Sequence, residues 1–303
     1  MRITIDAAAS DVAPWVAALR AQAQGEEIHV FESGKVAAVL GGPWLDFKLR
    51  GTDVFHASPA TPCAPRSAKL TVTIEDLSPW LLPSEHTKAA QHFAERILER
   101  AHGLIAVSES IRQDAIRLLG IDAEKITTIY PGVAAEYFDA KPARRERPYV
   151  LYAAGDTLRQ NREALLAAWS HLKPELQREY DLVSTSEAPG AELMAGATLF
   201  VYPSLYDGFA LPLAQALAAH VAVVTSDVSS MPEVGRDAAV LVDPHDPANR
   251  SGDHATAGVR QRPRQTRPLR PRARREIPLG KMRRRVVGLL PARGRRMTTS
   301  RLP

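Results

Sequence analysis

Cysteine is almost missing from this chain. Cys63 stands alone among 303 residues, so no internal disulfide can form, and a reducing compartment or indifference to redox is expected. Long apolar runs are missing as well. The longest largely apolar stretch, Leu211 to Val224, spans 14 residues and is interrupted by Gln215 and His220, too short for the roughly 20 residues that cross a bilayer. Met1-Arg2-Ile3-Thr4-Ile5-Asp6 reads as a first strand rather than a charged segment leading into an apolar one, so no export leader and a cytoplasmic location are expected.

Several chemistries lack their signatures. His86 and His92 are six positions apart with no cysteine or acidic pair converging on them in sequence, so packed or solvated histidines are expected and no metal site. There is no Gly-x-Ser-x-Gly elbow and no Walker loop, which argues against a serine hydrolase or a P-loop enzyme. Heptads and fixed-period repeats are absent too.

Charge is unevenly distributed. Of 39 Lys+Arg and 34 Asp+Glu, 16 basic and only two acidic residues fall in 251–303, leaving 23 basic and 32 acidic in 1–250. The basic character therefore belongs to the tail, and the first 250 residues are a mildly acidic body long enough for about two modest domains. In the tail, Arg262 to Arg272 has no sustained period and repels itself, which predicts disorder.

Strand and helix patterns alternate through the body. Arg2–Ala7, Glu27–Phe31, Val54–His56, Leu70–Ile74, Leu104–Val107 and Ile126–Ile129 are short apolar or β-branched runs, with helical patterns at Val12–Gln24, Thr87–Arg100 and Ile111–Leu119 between some of them. That alternation predicts α/β architecture with doubly wound parallel sheets. Phe93, Ile97 and Leu98 share one helix face. Ser110-Ile111-Arg112-Gln113 has capping-box spacing, and Gly120 stands where a left-handed cap belongs. Residues 139–148 carry two prolines, six charges and no large apolar side chain, the composition of a linker. Strand patterns restart at Tyr149–Ala153, Tyr180–Val183, Leu199–Tyr202, Val221–Thr225 and Ala239–Val242, with a helix at Arg162–His171. The expected organisation is a first domain over 1–140, a linker over 141–148, a second domain over 149–250 and a disordered tail over 251–303.

The most informative segment is a strand, Leu199 to Tyr202, then the turn Leu205-Tyr206-Asp207-Gly208-Phe209-Ala210, then a helix from Leu211. A turn of this kind offers backbone amides and a helix dipole to a phosphate. Gly208 would allow a positive φ and close approach.

Three ordered blocks resemble the retaining glycosyltransferases of family 4 (glycosyl transferases group 1). They are Ala106-Val107-Ser108-Glu109-Ser110-Ile111-Arg112 with Lys125 to Val133; Pro148 to Tyr152 with Arg159-Gln160-Asn161; and Tyr202 to Gln215 continuing to Ser229-Ser230-Met231-Pro232-Glu233-Val234 and Asp237 to Pro244. The likeness covers roughly residues 70–248. It implies the GT-B fold, two Rossmann-like doubly wound parallel-sheet domains facing a cleft, with the acceptor on the N-terminal side and a nucleotide sugar on the C-terminal side.

The resemblance also assigns residues. Asp207 and Gln215 stand where the family has two glutamates eight positions apart, one near the donor sugar and one on the ribose hydroxyls. Asp207 keeps a carboxylate with one methylene less, and Gln215 can bond a hydroxyl without charge assistance. Gln160 and Gly155 occupy the positions of a Lys and an Arg that neutralise the diphosphate, with Arg159 beside them. Glu75 replaces the His of a His-Asp segment at the cleft edge. The implied catalytic residues are Asp207 and Glu75, and the implied donor contacts are Gly155, Arg159, Gln160, Gly208, Phe209, Ala210, Leu211 and Gln215. The family's glycine-rich loop after the first strand has no counterpart in Ala7 to Val12. Only eleven residues, Ser184 to Met194, stand where the family carries several tens more, so the second domain is internally shortened.

The expected activity is transfer of a hexose from a UDP- or GDP-hexose to a glycan or lipid-linked acceptor with retention, as in polysaccharide biosynthesis, with no cofactor and no metal. Two alternatives stay open: an inactive remnant that binds nucleotide or a protein partner, and a nucleic-acid binder acting through the tail. The tail has no aromatic residue to stack on bases and no helical basic face, which argues against nucleic acid. Its charge leaves room for peripheral contact with anionic lipid. Its Arg, Pro and Gly content also suits translation of a GC-rich gene in a shifted frame, which comparison of the other two frames of the coding DNA would settle.

Overall fold

A computed structural model of the chain describes residues 1–7, 13–82, 88–153, 155, 157–186 and 188–245. The tail 251–303, the segment 8–12 read as lacking a glycine-rich loop, and His86 lie outside those residues.

The first α/β unit runs β1 (Arg2–Asp6), α1 (Ala13–Gln22), β2 (Glu27–Phe31), α2 (Gly34–Lys48), β3 (Val54–Ala57), β4 (Lys69–Ile74), α3 (Ser78–Leu81), α4 (Lys88–Arg100), β5 (Gly103–Ala106), α5 (Glu109–Leu119) and β6 (Ile126–Thr128). Its strands pair in parallel in the order β2-β1-β3-β4-β5-β6. Period-two alternation explains β4: Leu70, Val72 and Ile74 are buried on one face, while Thr71 and Thr73 on the other hold His56 of β3 between their hydroxyls.

One local expectation is corrected. The cap of α5 is Ser108 rather than Ser110; its hydroxyl accepts from Ile111 N at 3.1 Å, and Gly120 closes the helix with φ 64°. Gly41, Gly42 and Pro43 fall inside α2, where a regular helix is hard to sustain. The chain resolves this by kinking α2 at Gly41, φ 74°.

After a 3-10 turn at Ala135–Tyr137, no helix or strand forms until β7 (Tyr149–Ala153). The second unit continues through a 3-10 turn at Leu158–Gln160, α6 (Arg162–Ser170), α7 (Pro174–Glu179), β8 (Asp181–Thr185), α8 (Ala191–Gly196), β9 (Leu199–Tyr202), α9 (Leu211–Ala218), β10 (Ala222–Ser226), α10 (Met231–Gly235) and β11 (Ala239–Val242). All its strands are parallel, in the order β11-β10-β9-β7-β8. The chain starts at β7, goes one way to β8, then returns past β7 to β9. The strand order therefore reverses between β7 and β9, and in open α/β sheets the crevice beyond the strand ends at such a reversal is where ligands bind.

The two units share apolar core. Tyr206 and Phe209 of the β9–α9 loop and Ala214 of α9 are buried in one cluster with Leu77, Val107 and Ile111 of the first unit. A separate core, including Tyr149, Leu151, Phe200 and Leu213, fills the second unit.

Candidate functional site

Two loops meet at the reversal between β7 and β9. The one after β7 carries Gly155, Arg159 and Gln160; the one after β9 carries Tyr206 to Ala210. Leu205 N donates to Arg159 O at 2.7 Å, and Ser204 Oγ donates to the same oxygen at 3.0 Å, so the two loops are tied to each other.

Within the first loop, Gln160 is a capping residue. Its Oε1 accepts from Thr157 N at 3.3 Å, and Thr157 and Gln160 cap each other reciprocally around the 3-10 turn. Gly155 lies against the same side chain, since a Cβ there would come within 3.2 Å of Gln160 Oε1. The Arg159 guanidinium leaves this loop and pairs with Asp76 Oδ2 of the first unit. Burial is the largest influence on its charge and opposes it. Asp76 first, then Asp207 and Tyr202, outweigh burial and hold its pKa above the ordinary value.

In the second loop the Asp207 carboxylate turns inward. Its Oδ1 accepts from Phe209 N at 3.2 Å and Ala210 N at 2.9 Å, and its Oδ2 accepts from the Tyr202 hydroxyl. Burial, followed by the charge of Asp207, keeps the Tyr202 hydroxyl protonated far above its usual range. Asp207 O accepts from Ser229 Oγ at 2.8 Å and Ser230 Oγ at 3.0 Å. Asp207 is thus the cap of its own turn. It engages the Phe209 and Ala210 amides, neither bond involves Leu211, and Pro212 carries no N–H.

The left-handed residue of the turn is Ala210, with φ 55°, and not Gly208. Glycine at 208 is required instead by close approach, because a Cβ there would overlap the Glu75 carbonyl oxygen. Ser108 Oγ donates to Gly208 O at 2.6 Å, and the Tyr206 hydroxyl accepts from Leu77 N at 3.1 Å.

Glu75 sits at the rim where the units face. Its side chain keeps access to solvent, yet the protein crowded around it, and then the neighbouring Asp76, push its carboxyl pKa up. Gln215 on α9 is buried, 8% exposed, and its Oε1 has no hydrogen-bond partner. The turn therefore gathers Glu75, Arg159, Asp207, Gly208, Phe209 and Ala210, while Gln160 and Gly155 face each other in the loop beside it. Leu211 opens α9 partly exposed, 38%.

The sequence reading missed Glu233 on α10. Its carboxylate accepts from Glu109 N at 2.9 Å and Ser110 N at 3.1 Å at the start of α5, and from the Tyr130 hydroxyl. A carboxylate on a helix N-terminus is favoured by the free amides and the dipole. Burial, with the Glu233 hydrogen bond next, pushes Tyr130 up to about 12. No signal in the sequence pairs residues more than 100 positions apart. Among the described residues, no helix is long and apolar enough to cross a membrane.

Residues 135–252 match the family described as glycosyl transferases group 1, and residues 43–137 match glycosyltransferase family 4. The chain is 29% identical over 224 residues to O-antigen chain mannosyltransferase B of Escherichia coli, covering 60% of this chain and 59% of that protein. It spans less than two thirds of the length of the curated relatives it matches. Among solved structures, sucrose-phosphate synthase of Thermosynechococcus elongatus superposes with TM-score 0.67 at 16% identity, covering 86% of this chain and 90% of the other. Anabaena HepE in complex with UDP and glucose superposes with TM-score 0.68 at 12% identity, covering 96% and 99%. At those identities the likeness carries the fold, two parallel α/β sheets of GT-B type.

Proposed function

The chain belongs to the family 4, group 1 glycosyltransferases, and from that premise we propose that it transfers a hexose, mannose foremost, from a UDP- or GDP-linked donor to a glycan or lipid-linked acceptor with retention of configuration. The observation that carries this reading is the meeting of the Arg159 loop and the Asp207–Ala210 turn at the strand reversal, with Glu75 of the first unit against Gly208. Mannose is favoured because the relative from Escherichia coli is named a mannosyltransferase.

In this scheme residues 149–250 hold the donor and residues 1–140 the acceptor. The diphosphate lies near the start of α9 and Arg159, where the helix dipole and the guanidinium meet the charge that builds on the leaving group. Asp207 orients the sugar, Gln215 faces the ribose, and Glu75 bounds the reacting centre from the opposite side. The bond from C1 to the phosphate oxygen breaks with its electron pair going to the diphosphate. The acceptor oxygen bonds C1 on the same face and gives its proton to the departing phosphate oxygen.

A second reading, a chain that binds nucleotide without turnover, is favoured by two observations. The Asp207 carboxylate is committed to its own turn, and Gln215 brings no charge to the ribose position. Calorimetry with UDP, GDP and their mannose and glucose conjugates, alongside a donor-hydrolysis assay, separates the two. Turnover that disappears in Asp207→Ala supports transfer, and binding with no turnover supports the second reading. A nucleic-acid role for the tail concerns 251–303, outside the described residues.

A further inference from the structure

We propose that Asp76 is an internal competitor for the donor's diphosphate and so sets donor affinity: its carboxylate claims the Arg159 guanidinium from across the cleft. The inference rests on the donor reading above and names a residue that reading does not use. Arg159 is the only basic residue between Gly155 and Asn161, so it is the one cation this loop can offer to phosphate. Its root is fixed, because its backbone oxygen receives Leu205 N and Ser204 Oγ, and its side chain reaches the other unit to pair with Asp76 Oδ2.

Asp76 is held in readiness. Its Oδ1 accepts from Ser78 N where α3 begins, so the carboxylate is ordered without help from Arg159. The paired side chains are 28% and 30% exposed. Such a pair is sheltered enough to count, and open enough for an incoming anion to displace one partner. Among the described residues, the other charged or titratable groups that act on the guanidinium are Asp207 and Tyr202. Asp207 is bound to two amides and a hydroxyl of its own unit, so Asp76 is the partner that can yield. Displacing it also undoes a tie between the units, which couples donor entry to their relative position.

The test is calorimetric titration of the full chain with inorganic pyrophosphate, UDP and GDP. Asp76→Asn keeps an oxygen for Ser78 N and removes the charge, and should tighten pyrophosphate and the preferred nucleotide by about 3- to 10-fold, the size of one freed charge contact. Asp76→Glu should return the affinity toward wild type. Arg159→Gln should weaken binding about 10-fold or more, and Asp76→Asn added to Arg159→Gln should bring no gain. A thermal melt of each variant separates these effects from loss of fold. Equal affinities in wild type and Asp76→Asn, or a gain that survives in the Arg159→Gln background, overturns the proposal. Nucleotides that bind with no response to Asp76 sink it while leaving the donor reading standing. Pyrophosphate that responds through Arg159 while nucleotides fail to bind does the reverse. No binding of any probe to any variant overturns both.

Discussion

Ser108 Oγ donates to the Gly208 carbonyl oxygen at 2.6 Å while accepting from Ile111 N at 3.1 Å. One fully buried hydroxyl therefore caps α5 and pins the turn of the other α/β unit. Removing it strips an N-cap and leaves a buried carbonyl without its donor. Ser108→Ala is expected to cost about 2–3 kcal/mol, the sum of a typical cap and an unpaired buried group. Urea denaturation checks this, and a loss below about 0.5 kcal/mol would mean that water replaces both bonds.

Gly208→Ala tests the same contact from the other side. The added Cβ overlaps the Glu75 carbonyl oxygen, which is backbone and cannot rotate away, so the turn and β4's end must separate. A loss of about 2–3 kcal/mol is expected, the upper range for overpacking. Gly120→Ala gives the contrast: nothing lies within 4 Å of its Cβ, and only its left-handed backbone objects, at about 1 kcal/mol. Equal effects of the two substitutions in denaturant would remove close approach as the reason for glycine at 208.

How much of this was legible in the sequence depends on the range of the interaction. Ile3, Ile5, Val72 and Ile74 announce strands because β-branched residues at alternate positions suit a half-buried pleat. The alternation of such runs with amphipathic segments was enough to give two parallel sheets. The turn at Asp207–Ala210 was legible as a strand-to-helix connection. Its inner workings were not: Asp207 caps the turn, Ala210 takes the left-handed conformation, and Gly208 is small for the sake of Glu75. Glu233, Asp76 and Ser108 were invisible as partners of α5, Arg159 and Gly208, since local propensity carries nothing about which side chains two separate sheets bring together.

His56 makes stability depend on pH. Burial between Thr71 and Thr73 lowers its pKa from 6.5 to about 4. Between those values the unfolded chain binds the proton and the folded chain does not, so stability is full above about 6.5 and falls as pH drops toward 4. The contribution is on the order of 3 kcal/mol, since each tenfold loss of proton affinity on folding is worth about 1.4 kcal/mol. Carboxylates add their own losses at the acid end, so the measurement is the difference between wild type and His56→Asn in urea midpoints from pH 7 to pH 4.5. Parallel curves for the two proteins would rule out His56 as the source.

At Gln215 the proposed nucleotide contact can be tested against stability. Its Oε1 is buried with no partner, an arrangement that costs a folded chain about 1–3 kcal/mol. Met has nearly the same length and no amide, so Gln215→Met is expected to raise stability by about 1 kcal/mol in urea denaturation. If the amide is kept to bond the ribose of a nucleotide sugar, the same substitution should weaken UDP or GDP binding by about 5- to 10-fold, the worth of one neutral hydrogen bond in a closed site. The two effects have opposite signs and come from one atom. A variant that gains stability and binds nucleotide as well as wild type would show that Gln215 is a packing residue whose oxygen merely lacks a neighbour, and the ribose contact would then have to be sought elsewhere in the crevice between β7 and β9.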